Sequence, residues 1–218
     1  MTDGPAILGL QRNTLRMQAI DALRRAITTG ELPPGSHVSE IEMSTRLGIS
    51  RGTLREAMRT LELEGLLTTG SRGRLLVRLM DEEELRDLFR VRAALEALAA
   101  RTVAQSPTRE QAVTDLRAAA DRMSLAESES LEARMRADLD FHRELCRLSG
   151  NATLVRAWSA LEGSILMSIT RSGIERAVQN MDVPRHLQIV DAIATGDAEH
   201  ASAAVELHMR LATETLVS

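Results

Sequence analysis

Four side chains in the second half of the sequence have the types and spacing to hold a divalent cation: Asp138, His142, His186 and His208. Asp138 and His142 stand four residues apart in a helical row whose other members are Leu131, Met135 and Leu145, so both point the same way. His186 shares a face with Ile189, Val190 and Ile193. His208 lies in a stripe with Ala201, Ala204, Val205, Leu211 and Ala212. Burying an unpaired carboxylate is costly, so an acid in a core-facing row needs a partner. Three imidazoles and one carboxylate from three helices suit a borderline divalent ion, Zn²⁺ first, with Ni²⁺ or Mn²⁺ as alternatives. Taken singly, each imidazole reads better as a core histidine satisfied by a backbone carbonyl, and the acid as half of a buried salt bridge. The coincidence of this acid with three of the chain's five histidines favours a shared site. His200 falls off its stripe and reads as surface.

Arg92 and Glu96 admit two readings. At i and i+4 they form an ion pair worth ~0.3–0.5 kcal/mol if exposed. Arg92 also falls among apolar positions, where it would point inward and fork onto an acidic group of a ligand.

A different chemistry is written into the first half. Arg51, Arg55 and Arg59 recur every four residues beside an apolar stripe of Leu54, Ala57, Met58 and Leu61. A helix that buries one side and lines another with arginine suits a DNA major groove, where arginine forks onto guanine edges or pairs with phosphates.

The elements that must position these residues follow from the chain. Ser39 and Glu42 are spaced as a capping box, Gly48 offers the left-handed residue that ends a helix, and Ser50 caps the arginine-bearing helix. Leu66–Thr69 and Leu75–Val77 read as short strands. Between them Gly70-Ser71-Arg72-Gly73-Arg74 forms a basic turn with positive φ expected at its glycines. This is a winged helix-turn-helix, preceded by a flexible tail over residues 1–12 and a bracing helix from Thr14 to near Gly30. Beyond the linker Arg78-Leu79-Met80 the chain reads as helical throughout. Asp81 caps one helix, Pro107 occupies the first position of another running to about Ala126, and a third spans Leu131 to Ser149. A single helix is expected from Leu154 to Thr170, a loop from Arg171-Ser172-Gly173, a helix opening at Val183-Pro184, and a last helix after Gly196-Asp197. The expected fold is mainly α: a winged helix-turn-helix domain over 1–78, then an all-helical antiparallel bundle over 81–218.

Composition agrees. Aromatic residues are limited to Phe89, Phe141 and Trp158, which fits helical packing better than a β-sandwich. All basic charge is arginine. The net charge of −4 hides an asymmetry, with 11 Arg against 8 acids up to residue 80 and 16 against 23 afterwards, so only the first part suits a polyanion. The lone Cys146 excludes an intrachain disulfide and predicts a reducing cytoplasmic setting. The N-terminus lacks the pattern of a signal peptide, and no run approaches the ~20 apolar residues of a membrane span.

From Ile27 to Val77 the sequence resembles the DNA-binding domain of the GntR family of bacterial transcription regulators. The resemblance rests on Gly30-Glu31-Leu32-Pro33-Pro34-Gly35, Leu47-Gly48-Ile49-Ser50-Arg51, Leu54-Arg55-Glu56-Ala57, Leu61, Glu64-Gly65-Leu66 and Gly73. It implies contacts to double-stranded operator DNA from Ser50, Arg51, Thr53 and Arg55, with Gly73 and Arg74 of the wing. Ile41 departs from the arginine common in the family, which removes one contact.

Residues 81–218 resemble the FCD ligand-binding domain of the FadR-type branch. The matching pieces are Arg92-Ala93-Ala94-Leu95-Glu96, Asp138-x-x-Phe141-His142, Ser149-Gly150-Asn151, His186-x-x-Ile189, Ala192-Ile193, Gly196-Asp197 and His208. In metal-binding members the positions of Asp138, His142, His186 and His208 hold the ion, and all four residues are present. A small carboxylate effector, with Arg92 as its binding residue, and a homodimer are then expected. The resulting expectation is a ligand-responsive regulator, by resemblance a repressor. The alternatives are a metal-dependent enzyme acting on a small organic acid, with the winged helix as accessory, and a purely structural metal.

Overall fold

The computed structural model describes residues 15–172 and 174–217. The expected N-terminal tail lies outside these residues. The N-terminal unit comprises α1 (Leu15–Thr28), α2 (Glu40–Leu47), α3 (Arg51–Leu63) and the wing strands β1 (Leu67–Thr69) and β2 (Leu75–Val77). Ser39 Oγ accepts the Glu42 N–H at 3.4 Å to start α2. Gly48, at φ 64°, ends it, and the Ile49 N–H returns to the Ser44 carbonyl at 3.1 Å. That reversal sets α3 across α2. The wing is an antiparallel pair with Leu67 opposite Val77 and Thr69 opposite Leu75. Residues 36–38 add a third short pairing: the Val38 N–H donates to Leu75 O and the Val77 N–H to Ser36 O, both at 2.9 Å.

Only one wing glycine behaves as expected. Gly73 has φ 69°, but Gly70 has φ −85°. A Cβ at Gly70 would lie 2.7 Å from Leu76 Cδ1, the far end of a side chain that can turn aside.

The rest is helical: α4 (Glu82–Ala104), α5 (Arg109–Ala126), α6 (Leu131–Leu148), α7 (Ala152–Ser159), α8 (Glu162–Ser172), α9 (Ile174–Asn180), α10 (Val183–Ala194) and α11 (Ala198–Val217). α4 packs along α11, while α5 packs on α6 and α10. Four further expectations are corrected. Pro107 sits in the turn before α5, where Ser106 Oγ accepts the Thr108 N–H at 3.1 Å, so the helix starts at Arg109. The expected Leu154–Thr170 helix is two helices, broken after Ser159. The expected loop after Thr170 holds the last two residues of α8 and then α9, with Gly173 outside the described residues. On α11, Met209 rather than Leu211 joins the buried stripe; Leu211 is 37% exposed. One continuous apolar core runs from Ala19 to Leu216 through Met80 and Leu85.

Candidate functional site

α3 buries Leu54, Ala57, Met58 and Leu61 and leaves Arg51, Arg55 and Arg59 exposed. Ser50 Oγ accepts the Thr53 N–H at 3.1 Å and lies 2.9 Å from Thr53 Oγ1, so both hydroxyls serve the helix cap. Arg55 reaches back to α2, donating from Nε and Nη2 to the two carboxylate oxygens of Glu40 at 3.2 and 2.9 Å. That hydrogen bond is the main influence holding the Glu40 carboxyl below its ordinary range, against the opposing effect of burial. Gly73 and Arg74 are exposed at the wing tip.

The second cluster is buried. His142 comes from α6, His186 from α10 and His208 from α11, and one ligand atom of each lies within 4.8 Å of the others. Asp138, one turn before His142, places Oδ1 3.2 Å from His186 Nε2. The four residues expected to share a site are therefore together.

Their hydrogen bonds fix what they can do. The Asp182 carbonyl only accepts, so His186 Nδ1, 2.8 Å away, carries a proton. Glu96 Oε2 lies 2.7 Å from His142 Nδ1, which likewise donates. With neutral rings, both Nε2 atoms then present lone pairs, and they stand 3.2 Å apart. The Asp138 oxygen is a third acceptor. These atoms converge as a ligand set would, with Glu96 and Asp182 as the outer partners that orient the two rings. The buried charge agrees: the carboxylates of Glu96 and Asp138 face one buried guanidinium, Arg92. His208 Nδ1 is buried and, among the described residues, has no hydrogen-bond partner. Burial, reinforced by His186, His142, Arg185 and Arg92, holds the His208 pKa well below its ordinary value and keeps the ring neutral, as a ligand must be. These residues fit a divalent cation.

Arg92 does pair with Glu96, Nε to Oε1 at 3.2 Å, but the pair is buried rather than superficial. Trp158 Nε1 donates to the same Glu96 oxygen at 2.7 Å. Burial pushes the Glu96 pKa up, but His142, Arg92 and the bonds from His142 and Trp158 outweigh it and hold the carboxyl below its usual range. Arg92 Nη2 remains buried without a partner among the described residues. Arg92 lines a cavity of about 20 Å³ with Asp138, His142 and His208. Sequence reasoning missed Glu96 and Trp158 as outer partners of the cluster. The available signal was an acid inside the apolar run Ala94-Leu95-Glu96-Ala97.

Residues 15–77 match the gntR family of bacterial regulatory proteins, and residues 87–211 match the FCD domain. The chain belongs to the gntR family of bacterial regulatory proteins. Among gntR relatives, it is 33% identical over 207 residues to the "Probable D-xylose utilization operon transcriptional repressor" of Paenarthrobacter nicotinovorans, covering 92% of this chain and 88% of that protein. It is 28% identical to the "Nta operon transcriptional regulator" of Aminobacter aminovorans, covering 81% and 82%. A Rhodococcus sp. RHA1 structure described as a GntR transcriptional regulator superposes with a TM-score of 0.76 at 21% identity, covering 93% of this chain and 97% of that one, a likeness of fold. This gntR protein is a DNA-binding transcription regulator; the alternative of a metal-dependent enzyme does not hold. Among the described residues no helix is long and apolar enough to cross a membrane.

Proposed function

We propose that this regulator reads operator DNA with α3 and the wing, holds a divalent cation with Asp138, His142, His186 and His208, and responds to a small carboxylate bound beside that cation. In this reading residues 1–78 bind DNA and residues 81–218 bind the ion and effector and dimerise in the cytoplasm. The observation that carries it is the convergence of the two histidine Nε2 atoms and the Asp138 oxygen, with both Nδ1 protons committed elsewhere. A nitrogen-rich set with one oxygen favours Zn²⁺, with Ni²⁺ or Mn²⁺ as alternatives. The buried, unpartnered Arg92 Nη2 supports an anionic effector. The printed name of the Paenarthrobacter relative supports repression. Elemental analysis of the purified full chain tests the metal: about one equivalent of a transition metal, or its uptake at pH 8, is expected. No uptake of Zn²⁺, Ni²⁺ or Mn²⁺ would reduce the cluster to a satisfied polar core.

For DNA, Ser50, Arg51, Thr53 and Arg55 of the helix, with Gly73 and Arg74 of the wing, form the reading surface. Because Glu40 holds the Arg55 fork, it aims that guanidinium before DNA arrives. Arg55→Ala should lower affinity for a selected duplex roughly tenfold, and Glu40→Gln should blur preference at the same base pair without changing thermal stability. Unaltered gel-shift affinity and selectivity for both variants would take Arg55 off the interface.

A dimer follows from half-sites spaced ~34–36 Å apart on DNA. α4 leaves Val91 and Leu98, seven residues apart, 49% and 48% exposed, which supports a self-association face there. Sedimentation of the full chain should give a dimer; a monomer at micromolar concentration would contradict this.

A further inference from the structure

We propose that Ile41 is a specificity-determining residue of the DNA-reading surface, and that it recognises the 5-methyl group of a thymine in the base pair next to the one that Arg55 reads. The inference rests on the α3 reading surface above and adds to it a contact from α2.

Ile41 stands in the first turn of α2, two residues after the N-cap Ser39 and next to Glu40. The helix is turned so that Met43 and Ser44 are buried, while Ile41 and Thr45 share an exposed flank. Ile41 is 59% exposed. Single apolar side chains on a surface are ordinary. What sets this one apart is its neighbour. Leu15, Met17 and Leu63 are also exposed in the N-terminal unit, but Ile41 adjoins the carboxylate that holds the Arg55 fork, with Nε and Nη2 at 3.2 and 2.9 Å. Consecutive Cα atoms stand ~3.8 Å apart, close to the ~3.4 Å between stacked bases. A groove that admits the Arg55 guanidinium thus brings an adjacent base pair under Ile41.

The local backbone is held there. Ser44 Oγ and Thr45 Oγ1 both donate to the Ile41 carbonyl, at 3.0 and 2.9 Å. The flanking acids do not bar DNA. Glu40 is paired with Arg55, and Glu42 lies ~100° further round the helix.

The side chain then decides which pair it accepts. Isoleucine neither donates nor accepts a hydrogen bond. Among the groups that base pairs present in the major groove, the thymine methyl is the apolar one. Set against guanine O6 and N7, adenine N6 or cytosine N4, the side chain would strip water from a polar edge and return nothing. Set against a methyl, it buries apolar surface on both partners. Attraction and exclusion therefore select the same pair. The branched Cβ also restricts χ1, so little side-chain freedom is left to lose on contact.

The test uses the full chain and synthetic DNA. A duplex selected from random sequence by the parent protein is remade with deoxyuridine in place of each thymine in turn. That change deletes one methyl and leaves every hydrogen-bonding edge intact. At least one position should lose about fourfold in affinity, the worth of one buried methyl. It should adjoin the base pair at which Arg55→Ala loses discrimination. Ile41→Ala should bind the thymine and uracil duplexes equally, with the melting temperature of the parent because the side chain is exposed. Ile41→Val, which keeps a branched apolar surface, should retain the distinction. Tolerance of uracil at every position by the parent overturns the proposal. So does a methyl that matters as much to Ile41→Ala as to the parent, since another side chain such as Thr53 would then face it. Arg55→Ala on the same duplexes is read separately. Its unchanged affinity would strike the α3 reading surface, whereas its weakened binding, with uracil tolerated throughout by the parent, removes Ile41 alone.

Discussion

Adding Zn²⁺ to the metal-free protein should raise its melting temperature by roughly 8–16 °C when the free ion stands about a thousandfold above its dissociation constant. An ion that binds the folded chain and not the unfolded one contributes about 4 kcal/mol under that condition, and a chain of this length gains ~2–4 °C for each kcal/mol. The groups the ion would join are two Nε2 atoms 3.2 Å apart and the carboxylate oxygen of Asp138 beside them. His208→Ala should remove most of the gain. The sign of the pH dependence follows from His208, whose pKa is held below its ordinary value by burial and by His186, His142, Arg185 and Arg92. Below ~6.5 the unfolded chain takes up a proton that the folded chain refuses, so metal-free stability should decline as pH falls, by up to ~1.4 kcal/mol per pH unit. Asp138, whose pKa is lowered in the fold even though burial alone would raise it, keeps its contribution until well below that range. Zn²⁺ affinity falls over the same interval, since protons compete for the imidazoles. Calorimetry of both proteins with and without Zn²⁺ at pH 8 and pH 5.5 measures all of this; a shift under about 2 °C at pH 8 would defeat the metal reading.

Glu96→Ala should destabilise the protein by about 3–5 kcal/mol. Glu96 is fully buried and accepts from Arg92 Nε at 3.2 Å, Trp158 Nε1 at 2.7 Å and His142 Nδ1 at 2.7 Å. Its removal leaves the buried Arg92 guanidinium without its hydrogen-bonded carboxylate and an indole N–H without an acceptor. Glu96→Gln separates that structural loss from a loss of ligation. Its amide group can donate to His142 Nδ1, which moves the ring proton to Nε2 and takes away the lone pair that would face the ion. Zn²⁺ affinity should then fall about 10–100-fold, with a smaller loss of stability than in Glu96→Ala. Denaturant melts and competition against a chelator read the two effects separately. A Glu96→Gln protein that holds Zn²⁺ as tightly as the parent would show that the carboxylate only supports the core.

The four residues of the cluster were legible because helical periodicity reports burial: an acid or imidazole in a row with Met135 and Leu145, or with Ile189 and Val190, must face inward. The caps at Ser39, Ser50 and Asp81 rest on local hydrogen bonds, and local sequence carries them. Glu96 was not legible as a partner of His142, because an i,i+4 Arg–Glu pair looks the same on a surface as under one. Its burial comes from α6 and α7, far along the chain. The break after Ser159 was missed because no proline marks it and the apolar pattern continues through Leu161. Gly163 gave no sign of its packing role, since what a Cβ there would overlap is the Glu64 carbonyl, far earlier in the chain.

The bond between Trp158 and Glu96 has an optical consequence. The chain has one tryptophan and no tyrosine, so its intrinsic fluorescence originates from one indole. That indole is linked through a single carboxylate to His142. Any change in how Glu96 divides its charge between the two partners alters the polarity at the indole nitrogen. The emission of the unlabelled protein therefore reports on the histidine cluster, and a paramagnetic ion such as Ni²⁺ bound there should quench it where Zn²⁺ only shifts it.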